Sequence, residues 1–321
     1  MSGVRLRELA AREEAEPRFL GGHALCAGCG IPVVVRTVLN SIDTPVVVVT
    51  ATGCLEAATT RYPDTAWNVP WLHVAFENAA STMSGIESAY RVMRRRGTLP
   101  AAVADGEITL VVFAGDGATY DTGLASLSGA LERGHRMVYV AYDNAADAST
   151  GVGRSGALPF AATRTAMPQA RQALGPLWRR KDLTDIVVAH HVPYVTQAAI
   201  SHVQDLARKA RTAAHQAGPA FLNVLSACPP GWGIETRDSI ASVRAAVASG
   251  LWPLFEVVNG VWHLNDRPDG SVGVRDWLLG QRRFAHLRDE EATLQAIEGR
   301  VEADFRRLEA RAELGARGLS P

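Results

Sequence analysis

Short runs of β-branched and other apolar residues alternate along this chain with longer segments in which apolar residues recur every three or four positions. The short runs predict buried strands, which we place at 46–49, 108–114, 137–142, 194–196 and 220–226. The longer segments predict helices at 31–42, 77–96, 182–189, 201–216 and 290–311. Two further segments are predicted to be loops, at 67–73 and 151–175. Because strands and helices alternate, we predict an α/β fold, a mainly parallel sheet with helices on both faces.

Changes in composition along the chain suggest three regions. Residues 1–20 are polar and predict an N-terminal arm, and residues 21–250 contain the predicted sheet. Residues 251–321 predict a C-terminal helical extension, which begins with a hairpin around Asn259-Gly260. We expect this extension to contact another subunit.

The last predicted helix carries one apolar stripe, formed by Leu294, Ile297, Val301, Phe305 and Leu308. Such a stripe must be covered, because it is too apolar to face water along its whole length. It packs either on the sheet of its own chain or on a partner subunit, and the sequence alone leaves both open.

The overall composition excludes several classes of partner. The 321 residues are 47% hydrophobic, which is enough for a substantial core, and 33 basic side chains balance 33 acidic ones. A net charge of zero gives no reason to expect nucleic acid or an anionic membrane surface as a partner. No apolar run is long enough to span a membrane, and the N-terminus lacks the apolar core of a signal peptide. We therefore expect a cytoplasmic protein.

Polar residues follow two of the predicted strands at their carboxyl ends. Asp116 stands between Gly115 and Gly117 directly after the strand at 108–114, and Asp143-Asn144 follows the strand at 137–142. The carboxyl ends of neighbouring parallel strands form the crevice where α/β proteins bind ligands. Asp116 and Asn144 can then share one Mg²⁺ that bridges a diphosphate. The alternative is an ordinary turn in which the aspartate only caps the next helix.

Four cysteines form the second group of candidate ligands: Cys26, Cys29, Cys54 and Cys228. Each lies in a loop flanked by Gly or Pro, whereas cysteines kept for packing fall inside apolar runs. Disulfides are rare in the cytoplasm. The set suits a [4Fe–4S] cluster or a structural zinc site, although zinc ribbons usually offer two CxxC pairs and this chain has one. A redox CxxC without metal is the third possibility, and it leaves Cys54 and Cys228 without a role.

These motifs together resemble the β subunit of the 2-oxoacid:ferredoxin oxidoreductases, the pyruvate:ferredoxin oxidoreductase family. The resemblance runs from Gly22 to about Gly260. The matching stretches are Cys26-Ala-Gly-Cys-Gly30, Thr52-Gly-Cys-Leu-Glu56, the run from Trp67 to Ala80, Gly115-Asp-Gly-Ala-Thr-Tyr-Asp121, the run from Ser149 to Gly156, Lys181-Asp-Leu183 and Cys228-Pro-Pro-Gly-Trp232. The resemblance implies a thiamine diphosphate-binding fold.

The resemblance also implies roles for individual residues. Metal ligands would be Cys26, Cys29, Cys54 and Cys228 for a [4Fe–4S] cluster, and Asp116, Asn144 and the carbonyl of Ala146 for Mg²⁺. The residues lining thiamine diphosphate would be Gly115, Asp116, Gly117, Ala118 and the stretch from Asn144 through Ala146 to Ser149, with Ile31 and Cys54 near its rings. Asn144 and Ser149 are the implied catalytic residues.

The implied activity is the coenzyme A-dependent oxidative decarboxylation of a 2-oxoacid, pyruvate or a related compound, with electrons passed to ferredoxin. Such enzymes contain an α subunit, which supplies the glutamate that activates thiamine, together with γ and ferredoxin-like δ subunits. Glu56 and Glu77 are the carboxylates nearest the motifs here, and we assign neither to that role. His23 and His73 are candidate acid–base groups, although packed or hydrogen-bonded histidines are the simpler interpretation.

One departure from the family pattern concerns the substrate. Where the family commonly has Asn-Thr-Gly, with the Asn touching the substrate, this chain has Ser149-Thr150-Gly151, and Asp147 replaces a residue that is often aromatic or apolar. The identity of the 2-oxoacid therefore stays open. The alternative function is a non-redox thiamine diphosphate-dependent decarboxylase subunit with zinc or no metal at its cysteines.

Overall fold

A computed structural model describes residues 5–104, 106–146, 155–163 and 179–317. The strands are β1 (Val46–Ala51), β2 (Trp71–Val74), β3 (Thr109–Gly115), β4 (Val138–Asp143), β5 (Tyr194–Ala199), β6 (Ala220–Leu225), β7 (Phe255–Val258) and β8 (Val261–Leu264). They form one sheet in the order β2-β1-β3-β4-β6-β5-β7-β8. The pairs from β2 to β5 are parallel, and β7 and β8 are added antiparallel. The predicted α/β fold is confirmed.

The helices cover both faces of this sheet. They are α1 (Leu6–Ala15), α2 (Ile31–Ser41), α3 (Cys54–Thr59), α4 (Ala79–Arg96), α5 (Ala101–Ala104), α6 (Leu124–Glu132), α7 (Leu183–Val188), α8 (Val203–Ala214), α9 (Pro229–Trp232), α10 (Ser239–Ala248), α11 (Val274–Leu279) and α12 (Glu291–Ala316). Successive residues of a strand contribute to opposite apolar layers, as Val111 and Val112 of β3 do. Both layers are therefore built from the same continuous apolar runs, which is why these strands lack polar alternation.

Two local predictions differ from the structure. Residues 67–73 were expected to be a loop, but β2 begins within them at Trp71 and pairs with β1 through Val48↔Trp71. The sheet edge, rather than local propensity, orders this short segment. The polar N-terminal arm contains α1, whose Arg12 Nη1 donates to the carbonyls of Asn40 and Ile42 at the end of α2, at 3.0 and 2.8 Å. This contact satisfies carbonyls that a helix end leaves without partners.

The hairpin predicted around Asn259-Gly260 is confirmed, since β7 and β8 pair on either side of it. The apolar stripe of α12 packs on its own chain: Leu294, Ile297 and Leu308 are buried in the two cores of the sheet. Of the two possibilities left open by the sequence, the structure has the intramolecular one. None of the helices in the described ranges is both long enough and apolar enough to cross a bilayer.

Candidate active site at the carboxyl ends of the central strands

The two predicted metal-binding side chains come together where β3 and β4 end. These strands are paired in parallel with Gly115 opposite Tyr142, so Asp116 and Asn144 leave the same edge of the sheet. Both are buried, with 3% and 5% of their surface exposed. The two side chains therefore lie together at the carboxyl ends of adjacent strands, as the sequence predicted.

A π-helical turn at Ala118–Thr122 follows Asp116 before α6 begins. It closes with the Gly123 N–H donating to the Ala118 carbonyl at 2.9 Å, and a Cβ on Gly123 would clash with that carbonyl oxygen. Only glycine fits there. Single π turns of this kind occur frequently at functional sites.

The turn that follows Asn144 brings the side chains of Asp116 and Asn144 to one backbone N–H. Ala145 has φ +49°, a left-handed conformation that costs an L-residue free energy and is held by its surroundings. The Asp143 carboxylate accepts a 2.9 Å hydrogen bond from the Ala145 N–H. The Ala146 N–H then donates to Asn144 Oδ1 at 3.0 Å and to Asp116 Oδ2 at 3.3 Å. Two side-chain oxygens thus converge on one backbone N–H.

Two residues from distant segments fix the carbonyl groups of the same turn. The indole N–H of Trp232 donates to the Asn144 carbonyl at 2.6 Å, and Arg283 Nη1 donates to the Ala145 carbonyl at 2.6 Å. Trp232 belongs to the Cys-Pro-Pro-Gly-Trp stretch that resembles the family, so the sequence contained a signal for its importance. Arg283 lies outside the motif stretches that carried the resemblance, and no sequence signal pointed to it.

Behind the turn lies a buried polar network that the sequence did not predict. Tyr120 donates its hydroxyl proton to Asp143 Oδ2 at 2.6 Å, and it accepts from Asn223 Nδ2 at 2.9 Å. Arg180 Nη2 contacts both Asp143 and Tyr120, and its guanidinium lies over the rings of Tyr120 and Trp252. This network adjoins a cavity of about 240 Å³ that is lined by Ala145 but, among the described residues, by neither Asp116 nor Asn144.

Tyr142 connects the end of β1 to this site. A Cβ on Gly53 would lie 3.1 Å from the Tyr142 hydroxyl, and one on Gly115 would lie 3.2 Å from its ring. The hydroxyl is buried and makes no hydrogen bond within the part of the chain that the structure describes. Burial raises the pKa of Tyr142 well above its usual value, and the nearby Cys54 and Asp116 raise it further. Cys54, the first residue of α3, therefore lies near the ends of β3 and β4.

The cysteine loops dock onto the same side of the sheet. The Gly30 N–H donates to the Ala227 carbonyl at 3.0 Å, which brings the CxxC loop to the residue next to Cys228. Ile31, 2% exposed, follows as the first residue of α2. A Cβ on Gly28, whose φ is +75°, would clash with the Thr236 carbonyl oxygen, so glycine is required for this close approach.

The four cysteines, all in the described ranges, form no disulfide with one another. Burial, with smaller contributions from the charges of the other three thiols, raises the pKa of Cys29 to about 12. The four thiols are thus close enough to interact electrostatically. Across residues 5–104, 106–146, 155–163 and 179–317, however, no three or more His, Cys, Asp or Glu side chains are arranged as a metal-binding group.

Comparison with known proteins identifies the family. A profile of the thiamine pyrophosphate enzymes, C-terminal TPP binding domain, matches residues 51–224. Pyruvate synthase subunit PorB of Methanocaldococcus jannaschii is 43% identical over 276 residues, which cover 86% of this chain and 92% of that protein. PorB of Thermotoga maritima is 38% identical over 312 residues and 95% of each chain. This chain is a β subunit of the 2-oxoacid:ferredoxin oxidoreductase family.

The β subunit is also similar to a relative that is named for a different substrate. Ketoisovalerate oxidoreductase subunit VorB of Pyrococcus furiosus is 34% identical over 301 residues, covering 93% of this chain and 94% of that protein. A 2-oxoglutarate:ferredoxin oxidoreductase from Magnetococcus marinus, solved with 2-oxoglutarate, coenzyme A and succinyl-CoA bound, superposes with a TM-score of 0.52. It is 20% identical and covers 66% of this chain and 67% of its own, so the likeness concerns the fold alone.

Two of the remaining acid–base candidates of the β subunit, His73 and His23, stack on aromatic rings. His73 Nε2 shares a 2.8 Å hydrogen bond with Thr52 Oγ1 and lies 3.7 Å from Glu56, and its ring stacks on Trp71. His23 stacks on Phe19, and burial lowers its pKa. Glu77 is exposed. Ser149 and Asp147, which carry the substrate prediction, lie outside the described residues.

Proposed function

We propose that this β subunit binds thiamine diphosphate through Mg²⁺ held by Asp116, Asn144 and the Ala146 carbonyl, with Gly115 to Ala118 along the diphosphate. The observation that carries the proposal is the convergence of Asp116 Oδ2 and Asn144 Oδ1 on the Ala146 N–H. An all-oxygen set of ligands that includes one carboxylate suits a hard divalent ion. The buried Tyr142 hydroxyl beside it is a donor that a bound diphosphate cofactor can satisfy.

The second part of the proposal is that Cys26, Cys29, Cys54 and Cys228 bind one [4Fe–4S] cluster. Two observations support it: the CxxC loop docks beside Cys228, and Cys54 lies beside the turn that follows β4. Thiolate ligands in glycine-rich loops leave backbone N–H groups free to hydrogen-bond cluster sulfurs. An electron acceptor at this position is adjacent to the site of decarboxylation.

Bound thiamine diphosphate supplies the electron sink for 2-oxoacid decarboxylation, and the protein binds and orients it. In this chain, Asp116 and Asn144 anchor the diphosphate end. Trp232 and Arg283 hold the carbonyls of the turn, so the ligand oxygens keep their places during turnover. The proposed catalytic residues are Asn144 and Ser149, of which Ser149 lies outside the described residues.

The proposed complex takes pyruvate or a related 2-oxoacid and coenzyme A as substrates and ferredoxin as electron acceptor. An α subunit supplies the activating glutamate, and γ and ferredoxin-like δ subunits complete the assembly. Glu56 lies 3.7 Å from His73 Nε2. This contact supports the proposal that the glutamate that activates thiamine comes from another subunit. The C-terminal region, 251–321, is the part of the chain that we expect to contact another subunit.

The test is an anaerobic preparation of the complete complex. We expect about four iron and four acid-labile sulfide per β subunit for this cluster type, together with a broad brown absorption. A low-potential acceptor should be reduced only when a 2-oxoacid and coenzyme A are both present. One zinc per chain with negligible iron, and decarboxylation without electron transfer, would instead establish the non-redox decarboxylase.

A further inference from the structure

Arg283 is a buried cation next to the metal-binding turn. Only 5% of its surface is exposed. Its Nε donates to Gln281 Oε1 at 2.8 Å and its Nη1 to the Ala145 carbonyl at 2.6 Å. The guanidinium carbon lies 4.9 Å from the ring centre of Trp232 and 5.0 Å from that of Phe284. Neutral acceptors and aromatic faces thus surround the charge.

The positive charge of Arg283 is not balanced by these contacts. Its Nη2 nitrogen is buried and makes no hydrogen bond to any part of the chain that the structure describes. A buried charge without an ion-pair partner is costly, and cation–π contacts offset only part of that cost. Burial lowers the pKa of Arg283 to about 9, which still leaves it charged at neutral pH. Among the anionic groups near Arg283, Cys228 opposes this lowering most, ahead of Asp143 and Asp116.

Cys228, a proposed cluster ligand, lies near this cation, whose charge lowers the pKa of its thiol against the larger effect of burial. The backbone N–H of Trp232 donates to the Cys228 carbonyl at 2.8 Å, so the two residues lie one helical turn apart. The guanidinium of Arg283 lies over the Trp232 ring. A Cβ on Gly231 would lie 3.0 Å from Cys228 Sγ and 2.6 Å from the Ala146 Cβ. Cys228 Sγ and Arg283 therefore flank the same two residues, Ala145 and Ala146.

We infer that Arg283 is a positioning residue that presents its charge to the Cys228 side of the proposed iron–sulfur cluster and so raises the reduction potential of that cluster. The inference rests on the cluster assignment proposed above. Reduction adds one electron, taken from 2-oxoacid oxidation and passed on to ferredoxin, and no bond to the protein forms or breaks. A fixed cation beside a thiolate ligand stabilises the more negative, reduced state.

The test compares two substitutions that remove the net charge in different ways. Arg283→Gln keeps a donor for the Ala145 carbonyl without the charge, and Gln281→Glu leaves Arg283 in place but sets a carboxylate against it. In each, the reduced-to-oxidised ratio of the cluster at a fixed applied potential should fall about tenfold, which is about 59 mV for a one-electron couple. Arg282→Gln, at the exposed neighbouring position, is the control and should not move it.

The measurement is a redox titration of the anaerobic complex followed by electron paramagnetic resonance, with iron content and thiamine diphosphate affinity determined alongside. Unchanged potentials in both variants at full iron content would overturn the role of Arg283 and leave the cluster assignment standing. Weaker thiamine diphosphate binding with an unchanged potential would also overturn it, because a purely structural role predicts that pattern. If Arg283→Gln does not retain iron, the reduction potential of the Gln281→Glu variant tests the role of Arg283. Wild-type complex without iron would overturn the cluster assignment, and the inference with it.

Discussion

Arg180 and Asp143 form an ion pair next to the turn formed by residues 144–146. Asp143 is completely buried, whereas 24% of the Arg180 side chain is exposed. Burial lowers the pKa of Arg180, but the charges of Asp143 and Tyr120 outweigh that effect and raise it. Because the other oxygen of Asp143 holds the Ala145 N–H, this pair stabilises the left-handed residue between Asn144 and Ala146.

Replacing Arg180 by Met should therefore weaken both the fold and the cofactor site. The buried Asp143 would lose its counter-charge, which costs about 3 kcal/mol, at the lower end of the range for broken buried pairs because Arg180 is partly hydrated. Thiamine diphosphate affinity should fall along with the free energy of unfolding, measured by denaturant titration. Arg179→Met is the control: Arg179 is paired with Asp304 at the surface, and its loss should cost less than about 1 kcal/mol. Equal stability of the two variants would contradict this account.

Asp116→Ala should abolish cofactor binding without unfolding the chain. Loss of an outer-shell partner of a metal ligand already costs about 10–100-fold in affinity, so loss of the carboxylate ligand itself should cost more. Thiamine diphosphate should no longer co-purify, while the iron content stays at the wild-type value. Asp64→Ala, at an exposed carboxylate, serves as the control. Full cofactor content in Asp116→Ala would show that the metal ligands have been assigned wrongly.

Gly231→Ala should disturb both the segment that contains Cys228 and the turn that contains Ala146. The added methyl group would lie 2.6 Å from the Ala146 Cβ and 3.0 Å from Cys228 Sγ, so one of the two segments must move. Overpacking of this kind costs about 1–3 kcal/mol. We expect lower occupancy of both iron and thiamine diphosphate. Gly299→Ala, where a Cβ meets nothing within 4 Å, is the matched control. Loss of neither group in Gly231→Ala would mean that the two segments are not coupled.

Ser149→Asn should shift the substrate preference toward pyruvate. The asparagine amide offers a donor and an acceptor about one bond farther out than the serine hydroxyl. A lost polar contact with a substrate changes specificity by roughly a hundredfold or more. The measurement is the ratio of kcat/KM values across a panel of 2-oxoacids for the wild-type complex and the variant. If pyruvate is already the preferred substrate and the ratio does not move, Ser149 is a neutral replacement.

The sequence by itself determined which residues are the candidate ligands and that they lie at strand ends and in glycine-rich loops. Apolar runs that stop at Gly115 and at Asp143 predicted two parallel strand ends, and glycines around the cysteines predicted loops. These signals are local: a buried strand needs a continuous apolar run, and a close backbone approach needs glycine. The residue types then predicted a hard cation at one place and favoured a thiolate-bound metal at the other.

Only the tertiary structure decided how these residues are held. Trp232 and Arg283 reach the turn after Asn144 from 88 and 138 positions away in the sequence, and Trp71 becomes a strand residue because β1 lies beside it. Local periodicity carries no information about such contacts, since an indole, a guanidinium or a short polar segment forms them only where the fold supplies a partner. The stripe of α12 likewise had two possible partners, and the packing of β8 against it within the same chain decided between them.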